Sequence, residues 1–195
     1  MIEKLNNKYK VILASASPRR QQLLKELGLE FEVKPLDVDE VYPAELEKEQ
    51  IAIYLSELKA KAFSFDNLCE NCLLITADTI VWLDGEILPK PADADEAASF
   101  LKKLSGTSHD VITGVTIRTI EKLKSFDAIT TVYFKELSDT EIDYYIQHYK
   151  PFDKAGAYGI QEWIGFIGIE KIEGSYFNVV GLPVQKLYTE LQKFL

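Results

Sequence analysis

The chain has 195 residues, 47% of them hydrophobic and 11% aromatic, which suits one α/β domain with a substantial core and argues against disorder. Its 31 acidic and 22 basic residues give a formal net charge of −9, which excludes the broad basic surface of a nonspecific nucleic-acid or anionic-membrane binder; any anion site must be a local pocket. Residues 1–10 are too polar for a signal peptide and no apolar run approaches the roughly 20 residues of a membrane span, so a cytoplasmic protein is expected.

Tyr9–Leu13 reads as a strand, and Leu23, Leu24 and Leu27 recur at helical spacing until Gly28 stops the helix. Between them, Ser15-Ala16-Ser17-Pro18-Arg19-Arg20 turns into the helix start. Ser17 is placed to cap it, Pro18 suits its first turn, and the backbone N–H groups, the dipole and two guanidinium groups converge on one spot. A phosphate fits that spot, and so does an ordinary capped helix with two solvated arginines. Phe31–Lys34 reads as a short strand and 36–43 as an acidic loop holding Asp37, Asp39 and Glu40. Ile51, Leu55, Leu58, Ala62 and Phe65, spaced by three and four, predict a long helix with a buried stripe flanked by Lys59 and Lys61. Leu73–Ala77 is an apolar strand whose carboxyl end presents Asp78 and Thr79, where open α/β sheets favour ligands.

Ile80–Leu88 predicts a hairpin turning at Asp84-Gly85 and released at Pro89-Lys90-Pro91. Asp93 with Glu96 opens a helix to Leu104 that stops near Gly106, and Ser138 with Glu141 opens another that ends near His148. Asp110–Ile120 and Phe126–Phe134 read as an antiparallel strand pair, Asp153–Gln161 as a shaped loop, and two short strands and a helix over Pro183–Phe194 close the chain. Cys69-Glu70-Asn71-Cys72 has the spacing of half a zinc or redox motif, but with no second ligand pair it reads as fortuitous. His109 reads as a structural hydrogen-bonding group. No repeat or linker separates independent domains.

Ser15, Arg19, Arg20, Glu40, Lys59, Asp78, Lys90 and Gln161 all fall at predicted strand ends, helix flanks or loops. Several cations with two or more carboxylates, and no cysteine or histidine centre, suit a metal-bound polyphosphate better than acyl transfer or redox chemistry. A nucleoside triphosphate carries about four negative charges, more than one divalent ion cancels, so lysines and arginines must balance the rest while carboxylates hold the hard cation. Taken singly, Lys59 and Glu40 read as solvated charges, Lys90 as part of a surface turn, and Gln161 says little. Asp78 differs, because a carboxylate after five apolar strand residues needs a partner or a role.

In order along the chain, five segments resemble the motifs of the Maf family of nucleotide pyrophosphatases. These are Leu13–Arg20, then Ala77-Asp78-Thr79-Ile80-Val81, then Gly85 with Leu88, Lys90 and Pro91. Leu104-Ser105-Gly106 with His109, Val111 and Thr113 follows, and Gly174-Ser175-Tyr176 with Val179–Pro183 ends the series. The resemblance implies a single domain over 1–195 with a Maf/ITPase-like α/β fold: an elongated, mixed, twisted sheet flanked by helices, in two lobes with a central cleft. It implies hydrolysis of a nucleoside triphosphate to the monophosphate and pyrophosphate with a divalent cation, Mg²⁺ or Mn²⁺. Asp153–Gln161 resembles the branch that prefers dTTP and UTP, with modified pyrimidine nucleotides as further candidates and nucleotide-pool house-cleaning as the role. Carried over by position, Asp78 is the proton acceptor and, with Glu40, a metal ligand. Arg19, Thr79 and Gln161 are specificity positions, and Ser15, Arg19, Arg20, Lys59 and Lys90 bind phosphate. A nucleotide is the expected partner, with no nucleic acid and no membrane, and a homodimer is implied by the resemblance alone. The family usually has glycine after the Gln161 position, where this chain has Glu162-Trp163. The rival readings are a purine-directed, ITPase-like pyrophosphatase and a non-enzymatic regulator of septum formation. The second explains less, because an interaction module has no need of cations and carboxylates at element ends.

Overall fold

The computed structural model describes residues 1–64 and 71–195; Phe65 and Cys69, and with Cys69 the paired-cysteine spacing, lie outside the described residues. Along the chain run α1 (Ile2–Lys8), β1 (Lys10–Leu13), α2 (Pro18–Glu26), β2 (Phe31–Val33), α3 (Glu49–Ala62), β3 (Cys72–Leu83), β4 (Glu86–Ile87) and α4 (Ala94–Leu104). They are followed by β5 (Ser108–Arg118), β6 (Leu123–Phe134), α5 (Asp139–Tyr149), α6 (Trp163–Gly168), β7 (Ile169–Glu173), α7 (Tyr176–Val180) and α8 (Val184–Leu191). The strands form a seven-stranded sheet in the order β2-β1-β3-β5-β6-β7, with β4 paired to β3. β1 runs parallel to β2 and to β3, Leu13 lying opposite Val33 and Ile75, whereas β3–β4 and β6–β7 are antiparallel. This is the mixed α/β sheet that the sequence leads one to expect. Val11–Leu13 and 72–78 are buried without alternation, as parallel strands covered on both faces must be.

Local signals set the element ends. Ser17 Oγ accepts from the Arg20 N–H at the start of α2, and Gly28 takes φ +87° beyond its end. Asp84 and Gly85, both at positive φ, turn the β3–β4 hairpin. Asp93 caps α4, and Ser138 with Glu141 forms a reciprocal capping box on α5.

The chain divides into two compact units, one of 1–78, 113–128 and 181–195, the other of 79–112 and 129–180. In the first, α3 lies flush on β5 because residue 114 is glycine; a Cβ there would come within 2.1 Å of the Ala52 carbonyl oxygen. Thr76 Oγ1 donates to the Ser56 carbonyl at 2.7 Å, and the Ser56 and Thr116 hydroxyls lie 2.9 Å apart, which ties α3 to the sheet. The second unit packs Val81, Leu88, Phe100, Leu101, Leu104, Val132 and Tyr145 into its core.

Three sequence expectations need correction. β3 does not end before Asp78 but continues to Leu83, where Trp82 pairs with Ile87 of β4, so Asp78 and Thr79 are mid-strand. The buried face of α3 is Ile51, Ala52, Leu55, Ser56 and Ala60; Leu58 is only half-buried and Ala62 is exposed. Small Ala52, Ser56 and Ala60, spaced by four, let the helix approach the sheet closely. This rotation puts Lys59 on the inner side, its side chain 12% exposed, while Lys61 stays outside at 64%. Among the described residues the C-terminal region has one strand, β7, rather than two; 163–168 and 176–180 are helical. Asn178 in α7 is drawn inward, its Nδ2 donating to the Val111 carbonyl and to Thr130 Oγ1. Residues 2–8, which carried no prediction, form a helix that buries Leu5.

Candidate active site

In the first unit, the turn before α2 folds around its own hydroxyls. Ser15 Oγ accepts from the Ser17 N–H at 3.3 Å and from Arg20 Nη1 at 3.4 Å. Arg20 turns inward, with Nη1 donating to the Ala77 carbonyl at 2.9 Å and Nε to the Gly181 carbonyl at 2.8 Å. One guanidinium thus joins the turn, the residue before Asp78 and the segment after α7. Burial lowers the Arg20 pKa below its ordinary value, against the pull of the Asp78 charge. Arg19, beside it, is half-buried.

Asp78 is 7% exposed, and its Oδ1 accepts from Lys59 Nζ at 2.5 Å. The same Nζ lies 2.7 Å from Glu40 Oε1 in the acidic loop, where the Glu40 side chain is 44% exposed. One ammonium therefore serves two carboxylates. Burial pushes the Asp78 carboxyl upward, opposed by the charge of Lys59, reinforced by Glu40 and opposed again by Arg20; the net direction is up. A buried carboxyl with a raised pKa and cations at hand is the electrostatic setting of an acid–base group. Thr79 follows it in β3, half-buried. The structure thus brings Ser15, Arg20, Glu40, Lys59 and Asp78 into one connected set.

Lys90 and Gln161 belong to the second unit. The exposed Lys90 follows Pro89, and the Leu88 and Pro89 carbonyls both accept from the Gly156 N–H, at 3.0 and 3.1 Å. The Pro-Lys-Pro segment is therefore tied to the loop that leads to Gln161. Gly156 has φ +68°, and a side chain there would press on the Val81 methyls. Gln161 is half-buried, its Nε2 lying over the bare Cα of Gly159. His109 is buried with Nε2 2.7 Å from the Tyr158 hydroxyl, and burial pulls its pKa down to about 4. It stays neutral and structural, as expected.

Tyr145 and Lys154 were not singled out from the sequence, and Glu162 only as a departure from the glycine usual after the Gln161 position. Tyr145 donates a short hydrogen bond to Glu162 Oε2 and accepts from the Gly159 N–H at 3.0 Å, while Lys154 Nζ lies 3.1 Å from Glu162 Oε1. The signal available for them is a carboxylate at 162 next to an apolar helix, the position where the resembling family has glycine.

A mixed α/β fold that gathers two carboxylates about one ammonium, beside a capped helix start with two arginines, defines a class of protein suited to a polyanion accompanied by a hard cation. The sequence model for the family described as Maf-like protein matches residues 10–194, and this chain belongs to the Maf family. It is similar to the dTTP/UTP pyrophosphatase of Phocaeicola vulgatus, 58% identical over 99% of this chain and 100% of that one. The dTTP/UTP pyrophosphatases of Flavobacterium johnsoniae (51% identical, 98% of each chain) and Porphyromonas gingivalis strain W83 (51% identical, 96% of this chain and 95% of that one) are similar too. Among solved structures, the Staphylococcus aureus Ham1 protein is similar over 64% of this chain and 71% of its own, with 18% identity and a TM-score of 0.44.

Proposed function

We propose that this protein is a nucleoside triphosphate pyrophosphatase that hydrolyses dTTP and UTP to the monophosphate and pyrophosphate. Modified pyrimidine nucleotides are further candidates, and the role is house-cleaning of the nucleotide pool. The observation that carries the reading is the Lys59 ammonium shared by Asp78 and Glu40 in a Maf-family chain whose relatives, 51–58% identical, are dTTP/UTP pyrophosphatases.

Asp78 accepts the proton of the water that attacks the α-phosphorus in line with the departing pyrophosphate; its raised pKa suits it to take that proton and hold it. Lys59 keeps the two carboxylates aimed at one place. With Ser15, Arg19, Arg20 and Lys90, it offsets the charge that grows on the leaving group. Arg19, Thr79 and Gln161 set substrate specificity. Glu40 and Asp78 already converge on one cationic atom, and their oxygens are the donors a hard divalent ion takes. Glu40 and Asp78 fit Mg²⁺ or Mn²⁺ and would hold it through their carboxylate oxygens. When bound, such an ion supplies Lewis-acid stabilisation of the phosphoryl oxygens.

The whole chain acts as one domain, in the cytoplasm, as a homodimer, without nucleic-acid or membrane partners. No helix among the described residues is long and apolar enough to cross a membrane. Incubation with UTP, dTTP, CTP, GTP and ITP plus Mg²⁺ or Mn²⁺, with chromatography of the products, tests the proposal. Monophosphate and pyrophosphate from UTP and dTTP are expected. Preferential cleavage of ITP turns the reading to the purine-directed rival, and no cleavage of any triphosphate turns it to the regulator.

A further inference from the structure

We infer that Glu162 is a positioning residue for base recognition: clamped by Tyr145 and Lys154, its carboxylate fixes which end of the Gln161 carboxamide is offered to a base. The inference rests on the pyrimidine reading above and adds the device that makes Gln161 selective.

A carboxamide has an acceptor at one end and donors at the other, and a freely rotating one exchanges them to suit either uracil or cytosine. Selectivity needs a neighbour that breaks this symmetry. A Cβ built on Gly159 would lie 2.8 Å from Gln161 Nε2, 3.0 Å from Glu162 Cδ and 3.1 Å from Glu162 Oε2. The nitrogen end of the amide and the carboxylate are thus neighbours over the same bare Cα. With the nitrogen on that side the positive end of the amide is turned toward the carboxylate; reversed, Gln161 Oε1 would be turned toward it instead. Gln161 therefore presents its oxygen away from Glu162. The N3–H of uracil or thymine matches that acceptor, whereas cytosine has a lone pair at N3 and is repelled.

The carboxylate can act this way only if it is held, and it is held at both oxygens. Tyr145 donates to Oε2, and Lys154, its side chain 9% exposed, lies against Oε1 while also donating to Asp153 Oδ1 at 2.7 Å. Burial and the Glu162 contact push the Tyr145 phenol upward, so it remains a donor. The Tyr145 hydroxyl also holds the Gly159 N–H, which fixes the backbone over which the amide lies. A buried ion pair is often no more stabilising than apolar packing of the same shape, so this cluster is better explained by positioning than by stability.

Glu162→Gln keeps the side-chain shape and removes the charge; Tyr145→Phe removes the hydroxyl that holds it. We would measure kcat and KM on UTP and CTP with the full-length protein. In ¹⁵N-labelled samples we would follow the Gln161 side-chain NH₂ resonances, assigned by their loss in Gln161→Ala. Both variants should lose about tenfold or more in the UTP:CTP ratio of kcat/KM, through KM rather than kcat, and the Gln161 resonances should shift or broaden. An unchanged ratio, or an equal loss on both nucleotides through kcat, would overturn the inference while leaving the pyrimidine reading standing. If the wild type cleaves neither nucleotide, that reading falls by itself and the resonances decide: unmoved by Glu162→Gln they overturn the positioning, moved they uphold it.

Discussion

Between a nearly buried Asp78 and a half-exposed Glu40, the Lys59 ammonium is the closest cation to the group proposed to take the proton, so the ionisation of Asp78 depends on it. Asp78→Asn should lower turnover by about a hundredfold or more with the circular dichroism spectrum unchanged, since the amide keeps the shape and loses the base. A folded, fully active variant would remove Asp78 from the mechanism. Because the Lys59 charge lowers a pKa that burial raises, Lys59→Met should move the acid limb of the kcat/KM profile to higher pH. A limb that stays in place would separate Lys59 from Asp78.

His109 gives a pH effect of a different kind. In the folded protein it titrates at about 4 instead of 6.5, so below pH 6.5 the unfolded chain binds a proton that the folded one refuses. The associated stability is fully present above 6.5 and is lost as pH falls through about 4, by up to about 3 kcal/mol. Urea titrations at pH 7 and pH 4.5 should therefore show His109→Gln losing less stability on acidification than the wild type; equal losses would contradict the assignment.

At the scale of elements, what was legible in the sequence is what is decided within a few residues of chain. Ser17, Asp93 and Ser138 cap helices, and Asp84-Gly85 turns a hairpin, through bonds to near neighbours. Asp78 stood out because its apolar surroundings are written next to it. The inward setting of Lys59 was not legible, because it depends on α3 meeting β5 at Gly114, more than fifty residues away in sequence. Leucine spacing alone pointed to a stripe running through Leu58 and Phe65. The Glu162 clamp depends likewise on Tyr145 from another helix. Gly114→Ala tests the α3 contact: the added methyl would meet helix backbone, which cannot swing aside as a flexible side chain does. A loss of about 1–3 kcal/mol or more is expected in thermal unfolding, with turnover reduced because α3 carries Lys59. A variant of native stability would show that α3 yields at this point.

At the scale of the molecule, the chain passes between its two units at 78/79, 112/113, 128/129 and 180/181, and the first three passages fall inside β3, β5 and β6. A strand cannot lose half its ladder without weakening the rest, so urea unfolding should be one transition, with tryptophan fluorescence and far-UV circular dichroism coinciding. Both tryptophans, Trp82 and Trp163, lie in the second unit, so separate midpoints would reveal independent melting.

The same threading imposes an order in time. Arg20 has its Gly181 acceptor, and Lys8 and Tyr9 their Phe194 carbonyl, only after the last stretch of the chain has been synthesised. A growing polypeptide that already carries Ser15, Arg20, Lys59 and Asp78 therefore still lacks the residues that close the turn before α2. Translation has to run past residue 181 before that turn can be locked, so chains released early hold the chemical groups without the frame that sets them.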